Sequence, residues 1–350
     1  SIGKSYSAAS ASPANFTGFD DITYTQYDKF NNVETQNIRS YTNDPTPVLR
    51  EYREVVNVYG TDLQRKRGNA TTSTVSRWTN TTKLASEWID KTIMTTTSFD
   101  IQGRALIQGQ DIFVYKGTAL QLAFHNDIVN DLYDTRGDAG KQTITSYQMN
   151  GAVPTLIDYK ELTNRSFDAS HNLQNQMILT YVDSTKATLL DVQESRSIGF
   201  NPQGVALRQI LVTYSDIAKA QLIGVKEILN SNIQANGNVG VRVITNYSSV
   251  TFVGSGSAGD VATLVGALDK QTIVTDLFDN RGNALHQTVL SEGWTGTAWT
   301  FSSMQDIQND SIDLYDRTGH SIVKSYSAPA AIPANFTGFD DITYTQYDKF

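Results

Sequence analysis

The sequence predicts an all-β fold, a repetitive antiparallel β-hairpin meander with about 18 strands per 320-residue block. Three observations predict it. A short phrase, aromatic-Asp-x-x-Gly followed by an apolar/polar run, returns as FDIQGRALIQ from Phe99, YDTRGDAGKQ from Tyr133, FDNRGNALHQ from Phe278 and YDRTGHSIVK from Tyr315. The flanking runs, such as ITYTQY before the first copy and VETQNIRSY after it, are rich in Thr, Val, Ile and Tyr. Such residues suit a pleated, half-buried strand. The copies recur about every 35 residues, in the range of repeat architectures.

Taking the residue four before the recurrent Gly as the head of a unit gives nine units: 27–63, 64–98, 99–132, 133–166, 167–199, 200–232, 233–277 with an insertion at about 248–270, 278–314 and 315–346. The fifth position holds Asn31, Gly68, Gly103, Gly137, His171, Gly204, Gly237, Gly282 and Gly319. Glycine, and after it Asn and His, tolerates positive φ. The second position holds Asp28, Asp100, Asp134, Asp168, Asp279 and Asp316, with Asn201 in the sixth unit. Asp at the start of a type I turn caps local N–H groups, and a left-handed residue three positions on closes a bulged hairpin.

A second landmark keeps the register. Tyr41, Trp78, Phe113, Tyr147, Tyr181, Tyr214 and Tyr247 each stand fourteen residues after a head, and the last two units break the rule with Glu292 and Pro329. Looser turns follow these aromatics (NDPTP, KGTA, MNGAVP, VDSTKA), so each unit supplies two strands. AKAQLIGVKEIL (218–229) has helical propensity, but its counterparts in neighbouring units are strand-like and the repeat overrides that reading.

Residues 1–30 return at 321–350 with 26 of 30 positions the same; only Gly3/Val323, Ala9/Pro329, Ser10/Ala330 and Ser12/Ile332 differ. The expectation is that 1–350 is a window on a longer tandem array, with any targeting signal outside it. Nothing at the start resembles a signal peptide.

Composition excludes several classes. Net charge is −8 and the only locally basic run, LQRKRG at 63–68, reads as a solvated turn, so a nucleic-acid surface is not expected. No apolar run is long enough to span a membrane as a helix. With no cysteine, disulfides and thiolate chemistry are absent.

The phrase resembles the YD repeat of the bacterial RHS family, whose units centre on Tyr-Asp-x-x-Gly-Arg. Phe99-Asp100-Ile101-Gln102-Gly103-Arg104 carries the resemblance best and Tyr133-Asp134-Thr135-Arg136-Gly137 follows; Arg after Gly occurs once, and Asn32, Asn69, Asn172, Asn238 and Asn283 are commoner there. The resemblance implies a spiral strip or solenoid-like array of hairpins in a large secreted or cell-surface bacterial protein.

Candidate chemistry is thin. Gly254, Gly256 and Gly259 spell G-x-G-x-x-G with Asp279 about 20 residues beyond, but the run lies in the one insertion and Asp279 already belongs to a turn, so a Gly/Ser loop is expected rather than a dinucleotide site. GFNPQGV (199–205) reads as a variant turn. His125, His171, His286 and His320 lack metal-ligand spacing, and two of them fall in turns. Repeated acidic turns and FDDI (19–22 and 339–342) leave calcium as the one conceivable ion, without the dense oxygen-ligand pattern of repeat calcium sites. No catalytic, cofactor-binding or metal residue is therefore predicted, and the chain is not expected to be an enzyme.

The expected function is structural: an extracellular or cell-surface fibre, stalk or tube whose partners are adjacent blocks and other copies of the chain. The alternatives are an adhesin holding a glycan or a partner cell, and an RHS-like shell around a toxin.

Overall fold

A computed structural model describes residues 2–6, 16–42, 47–234, 236–253, 261–313 and 315–345. The chain is an all-β antiparallel meander. Its strands are β1 (Ile2–Tyr6), β2 (Phe16–Tyr27), β3 (Val33–Thr42), β4 (Leu49–Tyr59), β5 (Ala70–Trp78), β6 (Trp88–Phe99), β7 (Ala105–Lys116), β8 (Ala119–Tyr133), β9 (Ala139–Asn150) and β10 (Val153–Phe167). They continue as β11 (Leu173–Tyr181), β12 (Leu189–Phe200), β13 (Ala206–Tyr214), β14 (Leu222–Ile233), β15 (Val239–Val253), β16 (Val261–Phe278), β17 (Ala284–Trp294), β18 (Trp299–Asp310), β19 (His320–Tyr326) and β20 (Phe336–Thr343). Eighteen of these, β3 to β20, follow Asp28. The stretch with helical propensity is strand β14 from Leu222 onward.

Two compact units divide the chain: Ser1–Glu161 with Val182–Lys186, and Leu162–Tyr181 with Ala187–Phe350. In the first, each strand from β1 to β9 pairs antiparallel with the next. In the second, the same holds from β11 to β20.

The exit aromatics have a structural meaning. The strand register shifts immediately before Tyr41, Trp78 and Phe113 in the first unit, and before Tyr181, Tyr214, Tyr247 and Tyr326 in the second. Each aromatic therefore stands opposite a β-bulge, whose extra residue (Arg50, Ile89 or Ala123 in the first unit) lies on the following strand, where that strand bends and its twist increases. Across the bulge Trp78 lies 4.2 Å from Trp88, and on its other side Tyr41 stacks on Phe19 of the preceding strand at 4.8 Å. Contacts of this type add stacking to area burial.

The first unit buries Tyr52, Trp78, Ile89, Val114 and Ala123; the second buries Val192, Ile210, Val212 and Val225. The insertion lengthens one hairpin. Strands β15 and β16 pair out to Val253 and Val261, and Val250, Phe252, Ala262 and Leu264 pack against Ile210, Val212 and Val225. Next to that core Arg196 Nη2 meets Glu194 at 2.8 Å, Lys219 adds a second cation at 3.0 Å, and the Arg196 guanidinium lies 4.7 Å from the Phe252 ring centre.

The duplicated ends fold alike. Ile2 faces Asp21, Lys4 faces Phe19 and Tyr6 faces Phe16, with a register shift after Ser5. Ile322 faces Asp341, Lys324 faces Phe339 and Tyr326 faces Phe336, with the shift after Ser325. The same residues thus take the same partners 320 positions apart.

Candidate functional site

The recurrent phrase builds one turn. In the fourth unit Asp134 N donates to the Asp138 carbonyl at 2.9 Å and Gly137 N to the Asp134 carbonyl at 3.2 Å. The Asp134 side chain accepts from Arg136 N and Asp138 N at 2.8 and 2.9 Å. Those N–H groups, the Asp138 one foremost, hold its carboxyl below the ordinary range. Asp28, Asp100, Asp168 and Asp279 accept the equivalent pair, as does Asn201, the side chain at the centre of GFNPQGV.

Left-handed φ is found at Gly103, Gly137, Gly204, Gly237 and Gly282, at Gly68, and at Asn31 (67°) and His171 (63°). At Gly137, φ is 93° and a Cβ would meet nothing within 4 Å, so a side chain there costs backbone strain alone. Gly137→Val is expected to lower stability by about 1–2 kcal/mol in chemical denaturation. An unchanged midpoint would contradict that role.

Two units differ from the expected turn. In the second, LQRKRG is solvated as expected but helical rather than a turn: Asp62–Arg67 form a helix (α1) with no buried residue, capped by Thr61 with Gln64, and Gly68 ends it in the left-handed conformation. The capping pair and terminal Gly explain the helix. Arg65 Nη1 sits 3.3 Å from both Asp28 and Glu34.

In the ninth unit the turn forms three residues earlier than the phrase suggested. Asp313, not Asp316, accepts from Tyr315 N and Arg317 N. Asp316 is the left-handed residue, with φ 61°, while Gly319 is not left-handed. Arg317 Nε then closes on Asp313 at 2.8 Å, as Arg104 Nε does on Asp100 at 2.6 Å. Gly319 serves a different need: a Cβ there would stand 2.6 Å from the Ser311 carbonyl, as one at Gly140 or Gly240 would stand 2.7 Å from Leu132 or Asn232. The head is therefore Ile312, which puts Tyr326 fourteen residues after a head and removes one exception to the aromatic rule. His320 is the first residue of β19 rather than part of a turn.

A second turn rule was not legible beforehand. At the other end of the hairpins Lys83, Lys186 and Lys219 take φ of 52°, 58° and 59°. Lys186 N and Lys219 N donate to the Asp183 and Asp216 carbonyls, repeating the Asp-x-x-left-handed pattern with lysine. Their ammonium groups reach Glu54 at 2.6 Å, Glu161 at 2.5 Å and Glu194 at 3.0 Å respectively. An Asp-x-x-Lys spacing after the exit aromatic, with Asn80 in place of Asp before Lys83, carries the signal.

Three histidines are each bracketed by two aspartates. His125 meets Asp111 at 2.6 Å and Asp127 at 3.2 Å; His286 meets Asp276 at 2.6 Å and Asp306 at 3.3 Å; His320 meets Asp310 at 2.9 Å and Asp341 at 2.8 Å. Burial opposes charge on His125 and His286, but the aspartate hydrogen bonds outweigh it and raise both imidazoles; at His320 the Asp310 and Asp341 bonds dominate. A raised folded value means that the imidazolium stabilises the fold fully below about pH 6.5 and that this contribution is lost as pH rises through the raised value. Unfolding midpoints are expected to fall from about pH 6 to pH 8.5 in the native chain and to change less in a His125→Gln/His286→Gln/His320→Gln variant. An equal fall in both would contradict the clasps.

The aspartates approach opposite edges of each ring, and Asp21 of the first FDDI faces Arg39 at 3.7 Å. Among the described residues no group of three or more His, Cys, Asp or Glu is placed to hold a metal ion, and no helix is long and apolar enough to cross a membrane. Gly254, Gly256 and Gly259 lie outside the described residues; Asp279 is the cap of its own turn.

One cleft breaks the turn series. Between the seventh and eighth turns, a space of about 320 Å³ is lined by Asn238, Arg242, Thr275, Phe278, Gly282 and Gln287 among others. The seventh turn closes as Gln234 N to the Asn238 carbonyl and Gly237 N to the Gln234 carbonyl, so Gln234 holds the place of the capping Asp.

No known protein-family model matches the chain, and no curated protein matches it in sequence.

Proposed function

We propose that the chain is a structural repeat protein, a scaffold that builds an extracellular or cell-surface fibre, stalk or tube by adding hairpin blocks. The observation that carries this reading is the duplicated hairpin: β1–β2 and β19–β20 use the same partners and the same bulge 320 residues apart. Hairpins of near-identical sequence and the same register 320 residues apart make block-on-block addition a constant operation, and such an operation generates a filament unless its rotation closes. The parts that recur from unit to unit are turn caps, bulges and ion pairs between neighbouring strands, which suits a quasi-one-dimensional array. The resemblance to YD repeats adds the expectation of a bacterial surface protein.

Chains carrying one, two and three 320-residue blocks test it by electron microscopy. Eighteen strands at about 4.8 Å give a strip path on the order of 85 Å per block. The expected result is one fixed increment in particle length for each added block. Particles that stay globular and enlarge in all directions would favour a bounded shell instead.

A further inference from the structure

We propose that the cleft between the seventh and eighth turns binds the carboxylate of a sugar acid. At three other steps the residue after the left-handed position has an acceptor on its own turn and another across the step. Asn32 Nδ2 donates to Asp28 Oδ2 at 2.9 Å and to the Arg65 carbonyl at 2.6 Å. Asn283 Nδ2 donates to Asp279 Oδ2 and to Asp316 Oδ1, both at 2.8 Å. Arg104 bonds Asp100 and the Asp134 carbonyl in the same way.

Among the described residues the seventh unit shows neither acceptor. Gln234 replaces the capping Asp, and the next head follows after 45 residues instead of 33 to 37. Asn238 Nδ2 is consequently buried without a hydrogen-bond partner, while its Oδ1 is directed at Gly282, 2.9 Å from where a Cβ would stand. A buried amide N–H left without an acceptor carries a standing penalty. Gly282 lines the cleft, so a half-turn about χ2 of Asn238 exchanges the two ends of the amide and turns the N–H into it.

The rest of the lining selects the ligand. Among the described residues Arg242 is the one charged group that lines the cleft, with no acid beside it, in a chain of net charge −8. Arg242 Nε donates to Asn230 Oδ1 at 3.3 Å, which holds the guanidinium at the mouth. A carboxylate there accepts from Arg242 and Asn238, taking the place that Asp316 Oδ1 has at the following step. Gln287 and Thr275 offer amide and hydroxyl partners for ligand hydroxyls, and Phe278 offers one ring face. The volume is at the small end of ligand sites, a size suited to one sugar ring.

Calorimetric titration of the whole chain with glucuronate, glucose and acetate tests this. Glucuronate is expected to bind saturably, with glucose and acetate at least tenfold weaker. Gln234→Asp supplies the missing acceptor within the turn, so it should weaken glucuronate at least tenfold with no loss of thermal stability; Arg242→Gln should weaken it similarly. The proposal is overturned by absence of saturable glucuronate binding, by glucose or acetate binding as tightly, or by undiminished binding to the folded Gln234→Asp variant. Tighter binding of an Asp-rich peptide than of glucuronate would overturn the sugar assignment.

Discussion

Replacing residues 250–264 with a two-residue Asn-Gly turn is expected to destabilise the second unit by about 3–6 kcal/mol. Ser249 and Val265 face each other across β15 and β16, so a tight turn can close the shortened hairpin without breaking the remaining ladder. What is lost is cover. Val250, Phe252, Ala262 and Leu264 pack against Ile210, Val212 and Val225, whose exposures are 0, 0 and 1%. Uncovering three such side chains forfeits most of the gain from burying them, about 1.5–3 kcal/mol each before the chain relaxes. Hydrogen exchange should report faster opening of β12, β13 and β14, with the first unit unaffected. Unchanged protection of those strands would mean that the insertion is only a surface loop.

Glu194→Ala should cost about 3–5 kcal/mol, because it leaves two cations where one carboxylate now serves both. The Glu194 and Arg196 side chains are 9% and 6% exposed, and Lys219 joins Glu194 from the turn before β14. Solvent cannot replace the carboxylate at Arg196, which also carries the Phe252 ring. Removing both charges together, as Glu194→Met with Arg196→Met, should recover much of the loss, since apolar residues of similar volume need no partner. Equal losses in the single and double variants, measured by denaturant unfolding, would show that packing rather than an unpaired charge sets the cost.

Much of this architecture was legible in the sequence because its turn code is local. Asp134 and Gly137 specify cap, bulge and hairpin within a few residues, and Tyr147, Tyr181 or Tyr214 fixes the phase of the next strand. Misreadings arose where two local codes overlapped. Asp313 and Asp316 both offer a capping carboxylate, and only the second can sit left-handed while Gly319 clears the Ser311 carbonyl. Tyr326 and the glycine seven residues after the head, shared with Gly140 and Gly240, mark the true phase. In the second unit the Thr61–Gln64 capping pair outweighed the basic run. The histidine clasps and the cover over Ile210 depend on partners from other strands, such as Asp306, Asp341 and Phe252, so no local spacing announces them. The cleft belongs to the same class: its signal is an absence, a Gln234 where a turn expects Asp.

The recurrent phrase acts as a turn instruction that sets strand register. The ninth unit tests it most directly, because its two possible turns pair different residues. A turn capped by Asp313 places Asn309 opposite Ser321, whose hydroxyl bonds Asn309 Oδ1 at 2.7 Å. A turn capped by Asp316 would place Asn309 opposite Ser327 instead. The chain has no cysteine, so an engineered pair reports without background. Asn309→Cys with Ser321→Cys should form a disulfide readily under mild oxidation, and Asn309→Cys with Ser327→Cys should not. The reverse result would contradict the Asp313 turn and, with it, the rule that cap and left-handed residue together fix each hairpin.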